Sequence, residues 1–416
     1  MPTFPTELTD EIIAWIPVVC DRFSDMYRAL LSCSLVCSAW LPASRHWLFG
    51  TLKIDTAERY DLLVSRVLRS EKMSINLLSV RIVELFGSDP AAPSFARPFM
   101  LEFAGHLPNV EDMAFYDASV EAFLSHPTSQ VAMSRFSLVQ SLSISRCKFP
   151  SFGAVRRTLT SLPSLDNLEL FRPSWPDPAT DLSPHLSHGA STARRPALLA
   201  LNITMERHPP GRRRAQQFMT WFSKTPTSSS LLDLRVRVHN WKHVKIEDMA
   251  TFGPSLFCFG RGLRTLDIEI AEILLIELER FFCTITNLEV LRLGIESAIE
   301  PDIWVHLERL AHSLPCPTHL VELYIGVGFT RFPLELAKFD GLEALDAALR
   351  LELFQALQTV KLHCKTVLAL SLGPPSAPPS AQLVQRTIPL TASAHEVAVR
   401  VSHTKSVVIY TIAATT

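Results

Sequence analysis

Apolar residues recur along this chain in one short phrase: an apolar position, two others, a second apolar position, one other, and a third. Well-formed copies are Val139-Leu142-Ile144, Leu165-Leu168-Leu170, Leu198-Leu201-Ile203, Leu231-Leu234-Val236, Leu263-Leu266-Ile268, Leu288-Leu291-Leu293, Leu320-Leu323-Ile325 and Leu357-Val360-Leu362. Looser copies are Leu77-Val80-Ile82 and Val110-Met113-Phe115. With the middle residue as marker, successive copies stand 25 to 37 residues apart. The last two apolar positions of each copy alternate as in a half-buried strand. Near-regular spacing of this size predicts a stack of repeats in preference to an ordinary α/β sheet with leucine-rich strands. Helix-like segments fall between the copies, at 118–125, 152–162, 214–223, 272–282, 302–314 and 342–357. The predicted class is α/β, a solenoid of alternating strands and helices over 75–372.

The first fifty residues carry a different pattern. Leu8, Ile12 and Ile16, with Ile13 alongside, follow helical spacing, with Pro5 near the start and Pro17 as the expected stop. A second helix is expected after Ser24-Asp25, acting as an N-cap, and carries Leu30, Leu31 and Leu35. Val36, Cys37 and Trp40 continue onto an expected third helix. A segment this short buries too little apolar surface by itself, so its stripe must meet another protein or the rest of the chain.

These strings, FPTELTDEIIAWIP, ALLSCSLVCSAW and LPASRHWLF, resemble the F-box, and CSLVCSAW with LPASRHWLF is similar to the expanded F-box families of mushroom-forming fungi. Phe4 stands where the F-box usually has Leu, and 17–27 is longer than a minimal F-box connection. The resemblance implies docking to the Skp-family linker of a cullin-RING ubiquitin ligase. It makes Phe4, Pro5, Leu8, Ile12, Ile13, Leu30, Leu31, Val36, Cys37 and Trp40 the candidate linker contacts. The repeat phrase in turn resembles that of leucine-rich repeats. The Asn/Cys position five residues after each marker, however, holds Cys147 once and otherwise residues such as Pro173, Glu206, His239, Ala271 and Glu296. The expected organisation is an F-box-like helical module at 1–52, a connecting helix at 53–74, the array at 75–372, and a Pro-rich linker and tail at 373–416. Alternating valines and isoleucines in 396–412 predict a strand pair in that tail, and 177–195 reads as an inserted loop.

Composition narrows the partners. The chain is 47% hydrophobic with a net charge of −1, so it is not mainly disordered, and no global field draws it to nucleic acid or an anionic membrane. Its eight cysteines include no C-x-x-C pair, and acids at Glu7, Asp10 and Glu11 argue against a signal or transit peptide. No run is long and apolar enough for a membrane span, and a cytoplasmic or nuclear protein is expected.

Candidate chemistry is sparse. Cys33, Cys37 and His46 invite a zinc reading, but two thiols at i, i+4 also suit the apolar face of a small helical module. Gly326-Val327-Gly328 lacks the third glycine of a phosphate loop and reads as a bend after a strand. Arg207, Arg212, Arg213 and Arg214 form a basic patch that suits a phosphate or an import receptor, or a solvated loop leading into a helix. No enzyme, metal or cofactor is expected. The residues between the apolar strand positions face outward and line a concave face. Arg235, Arg237, Asp267, Glu269, Arg292 and Tyr324 are its candidate substrate contacts; an internal charge ladder is the plainer alternative. The expected function is a non-catalytic substrate receptor of an SCF-type ligase, holding an unidentified protein substrate on the repeats. The alternative is an interaction scaffold whose N-terminal helices only cap the solenoid.

Overall fold

The computed structural model of this 416-residue chain describes residues 5–20, 22–87, 96–117, 127–176, 196–205, 209–238, 258–271, 282, 284–298, 303–314, 317–329, 354, 356–366 and 407–413. It forms two compact units, Met1–Leu186 and Ser187–Thr416.

In the first unit three helices, α1 (Thr6–Val19), α2 (Phe23–Ser34) and α3 (Leu41–Leu48), lead into parallel strands. These are β1 (Thr51–Ile54), β2 (Ile82–Phe86), β3 (Asp112–Tyr116), β4 (Ser141–Ser145) and β5 (Asn167–Phe171). Helices α4 (Ala57–Leu63), α5 (Ala96–Phe103), α6 (Pro127–Ser134) and α7 (Phe152–Ser161) alternate with them, as a leucine-rich-repeat-like solenoid requires. Leu52, Val83, Met113, Leu142 and Leu168 stand opposite one another in unbroken register. The marker of β2 is therefore Val83, not Val80. Leu77 and Val80 are buried around a 3-10 turn (Ile75–Ser79), which imitates the repeat phrase three residues early. The repeat also begins sooner than expected, because β1 lies across the boundary drawn at 52. Residues 53–74 accordingly start as strand before becoming helical.

One side of this sheet is the core. Leu85, Phe115, Ile144 and Leu170 are buried there with Phe99, Phe103 and Phe136. Each such phenylalanine contributes about 1.5–3 kcal/mol of burial. The residue after each of three strands, Asp117, Arg146 and Arg172, takes φ of 53°, 54° and 49°, respectively. That left-handed step costs a non-glycine residue about 1–2 kcal/mol. It is held where Asp117 N–H donates to the Ser145 carbonyl at 2.9 Å and Arg146 N–H to the Phe171 carbonyl at 2.7 Å. Just beyond β4 the buried Cys147 thiol reaches the Phe115 and Ser145 carbonyls at 3.5 and 3.4 Å, joining neighbouring turns.

The second unit repeats the plan. Strands β6 (Ala200–Met205), β7 (Asp233–Val238), β8 (Thr265–Ala271), β9 (Val290–Ala298), β10 (Glu322–Phe329) and β11 (Thr359–Thr366) are parallel, and β12 (Val407–Ala413) pairs antiparallel with β11. Leu201, Leu234, Leu266, Leu291, Leu323 and Val360 share one register row. Helix α8 (Pro209–Phe222) follows β6, and α9 (Ile303–Ser313) precedes β10.

A polar position four residues before the marker was not anticipated. Asn109 donates to the Leu78 carbonyl (2.8 Å), Ser164 to Ser137 (2.7 Å), Ser230 to Leu198 (2.7 Å) and Asn287 to Arg261 (3.0 Å). Each bond satisfies a carbonyl of the preceding repeat, as the Cys147 thiol at marker plus five also does for the Phe115 carbonyl. Gly262 holds the same position in its repeat, where an added Cβ would lie 3.3 Å from the Leu231 carbonyl.

Several local expectations are corrected. Pro17 lies inside α1, in its last turn, where losing one N–H does not stop the helix before Val19. Ser24 and Asp25 sit in the first turn of α2, not before it, and Arg22 precedes that helix without a side-chain cap. Val36 lies in a turn, Cys37 is in irregular backbone, and Trp40 is the residue before α3, so the third helix starts later than expected. Arg212, Arg213 and Arg214 belong to α8, which begins at Pro209 instead of after a basic loop. Gly326, Val327 and Gly328 lie within β10 instead of after it, and the pairing with β9 shifts register between Val327 and Phe329. Helices α5 and α6 were not expected. The expectations at 118–125, 177–195, 272–281, 342–353 and 373–379, and the first half of the tail strand pair, lie outside the described residues.

Candidate functional site

The N-terminal helices are sealed inside and open outside. Ile13 and Leu30 are completely buried where α1, α2 and α3 meet, together with Thr9 and Ser44. Facing outward on α1, Leu8, Ile12, Trp15 and Val19 are 51%, 48%, 54% and 67% exposed. Their spacing of four, three and four residues places them on one helix face. On α2, Phe23, Tyr27 and Leu31 are spaced by four and all exposed, with the Phe23 and Tyr27 rings 6.0 Å apart. Leu35 and Val36 extend the apolar surface past the end of α2.

The ten candidate linker contacts thus divide. Leu8, Ile12, Leu31, Val36 and Cys37 are exposed, Pro5 is exposed at the start of α1, and Trp40 is half-buried. Ile13 and Leu30 hold the module together instead of facing a partner, and Phe4 lies outside the described residues. Trp15, Val19, Phe23 and Tyr27 were missed, although extending helical i, i+3 and i, i+4 steps from Leu8 and Leu31 finds them. The module is anchored at its far end: His46 Nδ1 lies 3.2 Å from Ser79 Oγ, and the Gly50 carbonyl accepts from Arg81 and Ile82 N–H. His46 is thereby engaged with Ser79, and burial raises the Cys33 thiol above its ordinary range. Among the described residues, no three His, Cys, Asp or Glu side chains gather as a metal site would.

The second unit brings the six open-face candidates onto adjacent strands. Arg235 stands opposite Asp267 in register, Arg237 opposite Glu269, Asp267 opposite Arg292, and Arg292 opposite Tyr324. Their ion pairs run differently. Arg237 Nη2 meets Asp267 Oδ2 at 3.0 Å, Arg235 bonds Asp233 on its own strand at 3.4 Å, and Arg292 reaches Glu322 at 3.4 Å. The Asp267 side chain is only 12% exposed. Burial, then the Asp267 charge, pushes the Tyr324 phenol up, and Arg237 partly offsets this. Gly294 and Gly326 are register neighbours. A Cβ on either would come within 3.3 Å of the side chain lying over it, Glu269 Cγ or Tyr324 Cε1. These glycines let two long side chains lie flat on the sheet. The arrangement is a cross-linked charge ladder with part of its surface open to solvent.

No helix of the described residues is long and apolar enough to cross a membrane. The sequence matches no family model and no curated protein. Among solved structures, the leucine-rich repeat-containing protein LegL7 from Legionella pneumophila aligns at 14% identity, covering 77% of this chain and 87% of that one, with a TM-score of 0.38. A protein from Bacteroides fragilis aligns at 14% identity over 57% of this chain and 67% of that one, with a TM-score of 0.37.

Proposed function

We propose that this chain is a non-catalytic substrate-recognition subunit of an SCF-type cullin-RING ubiquitin ligase. Its α1 and α2 dock a Skp-family linker, and its repeats hold a protein substrate. The carrying observation is the outward apolar face of Leu8, Ile12, Trp15 and Leu31 on a module whose own core, Ile13 and Leu30, is already closed. A helical cap would turn Leu8, Ile12 and Leu31 inward against the first repeat. Their exposure instead supports a surface awaiting a partner, since covering several half-exposed apolar side chains stabilises a complex by roughly 1 kcal/mol each. The chain's part in catalysis is proximity: tethering a substrate near a ubiquitin-loaded enzyme raises its effective concentration, and no side chain here takes part in the chemistry. A cytoplasmic or nuclear site of action belongs to the same reading. The test is reconstitution of the full chain with a purified Skp-family linker, followed by size-exclusion chromatography. Co-elution as one complex is expected, and separate elution at micromolar concentration contradicts the receptor reading in favour of a capped scaffold.

A further inference from the structure

The open face of the first unit sets acidic, small and aromatic side chains side by side. Across β2 to β5 the register row Glu84, Ala114, Ser143, Glu169 places a carboxylate at each end of two small side chains. Two residues further along their strands, Phe86 and Tyr116 stack with ring centroids 4.5 Å apart and planes 15° apart. Residues two apart on a strand share a face, so the rings wall one side of a shallow trough floored by Ala114 and Ser143. Ser143 Oγ lies 3.5 Å from Glu169 Oε2 and donates to it, drawing that carboxylate toward the floor. Burial, then the charges of Glu84 and Glu169, raises the Tyr116 phenol, so both ends of the trough act on this ring.

The strip already uses cation chemistry. Lys53 Nζ lies 4.6 Å from the centre of the Phe86 ring, and the Arg172 guanidinium lies 5.0 Å from that of Phe171. Phe86, Tyr116 and Phe171 share one register row, with Ser145 between the last two. The strand residues of this face include three acids, Glu84, Asp112 and Glu169, and one base, Lys53. With Arg172 just past β5 and Lys53 opposite Glu84, the strip keeps a small excess of acid, and a cation meets both aromatic rings and carboxylates.

We propose that this trough binds an arginine or lysine side chain presented by an extended segment of a partner protein. Tyr116 covers the alkyl stem and cationic head, and Glu84 and Glu169 take the charge. Arginine is favoured, because its planar guanidinium stacks on a ring while bonding a carboxylate edge-on. The inference rests on the repeat-array half of the function proposed above and names the chemistry of its partner.

The test uses the immobilised full chain and degenerate nonapeptide pools whose central residue is fixed as Arg, Lys, Gln or Glu. Capture of the Arg pool is expected to exceed the Gln pool about fivefold, with Lys intermediate and Glu lowest. Tyr116→Ala and the double variant Glu84→Gln with Glu169→Gln are each expected to bring the Arg pool down to the Gln level. Equal capture of the Arg and Gln pools by the unaltered chain overturns the proposal. So does an Arg preference that survives Tyr116→Ala, since bulk charge then explains it. Thermal melts accompany each variant, and Tyr116→Leu, which keeps the apolar bulk, replaces Tyr116→Ala if the latter does not fold. Linker capture on the same preparations reads α1 and α2 alone, so failure of the ligase reading leaves the peptide result interpretable.

Discussion

Arg237 reaches past the residue that faces it: its Nη2 lies 3.0 Å from Asp267 Oδ2, although its register partner on β8 is Glu269. Diagonal contact between neighbouring strands is within reach of a long side chain. The choice has a cause. Asp267 is nearly covered and sits beside Tyr324, so its charge gains most from a guanidinium.

Replacing Arg237 by Ala therefore leaves a mostly buried carboxylate without its cation, at an expected cost of about 1–2 kcal/mol after allowing for the half-exposed arginine. Arg235→Ala, which breaks a longer bond to a more exposed Asp233, costs about 0.5 kcal/mol or less. Chemical denaturation of both variants at low and high salt checks the ordering.

Thr227 is fully buried and joins two segments of the second unit. Its Oγ1 accepts from Leu198 N–H at 3.1 Å and donates to the Pro196 carbonyl at 2.9 Å. Thr227→Val keeps the shape and strands both backbone groups, so a loss of about 2–3 kcal/mol is expected. Equilibrium unfolding in urea measures it, and Thr227→Ser is expected to retain most of the stability.

Asp166 supplies a pH test. Burial, reinforced by the Asp112 charge and opposed by a backbone hydrogen bond, raises its carboxyl above the usual range. The folded chain thus holds this proton more tightly than the unfolded one, and stability falls as pH rises from the unfolded value of about 3.9 through the raised folded value. Asp166→Asn is expected to raise the melting temperature at neutral pH and to lose that advantage below about pH 3.5, where the acid is neutral in both states. Melting curves across this range check the sign.

The array was legible because a strand phrase with period two survives any change of loop length: Met113, Leu142, Leu168 and the markers of β6 to β11 all fall in one row per unit. The first copy misled because Leu77 and Val80 are buried for another reason, a 3-10 turn, and apolar spacing does not distinguish the two. The position at marker minus four escaped notice because Asn109, Ser164, Ser230 and Asn287 make the bond while other copies hold Leu138, Ala197, Gly262, His319 or Ala356, so no single letter repeats. On the N-terminal helices, spacing identified which residues are apolar but not which pair inward. Leu30 and Leu31 are adjacent in sequence, yet one is sealed and the other 44% exposed. Likewise the strand positions of the charged residues of the second unit follow from the repeat register, while their pairing depended on burial that no one-dimensional pattern carries.

The proposed docking of a Skp-family linker on the exposed face of α1 and α2 is tested most directly by one measurement. The full chain carrying Ile12→Asp with Leu31→Asp changes two exposed positions and spares the buried Ile13 and Leu30. Its affinity for a purified linker, determined by isothermal titration calorimetry beside the unaltered chain, is expected to fall by about tenfold or more with little change in melting temperature. Equal affinity for the two proteins, each shown to be folded, would contradict the account.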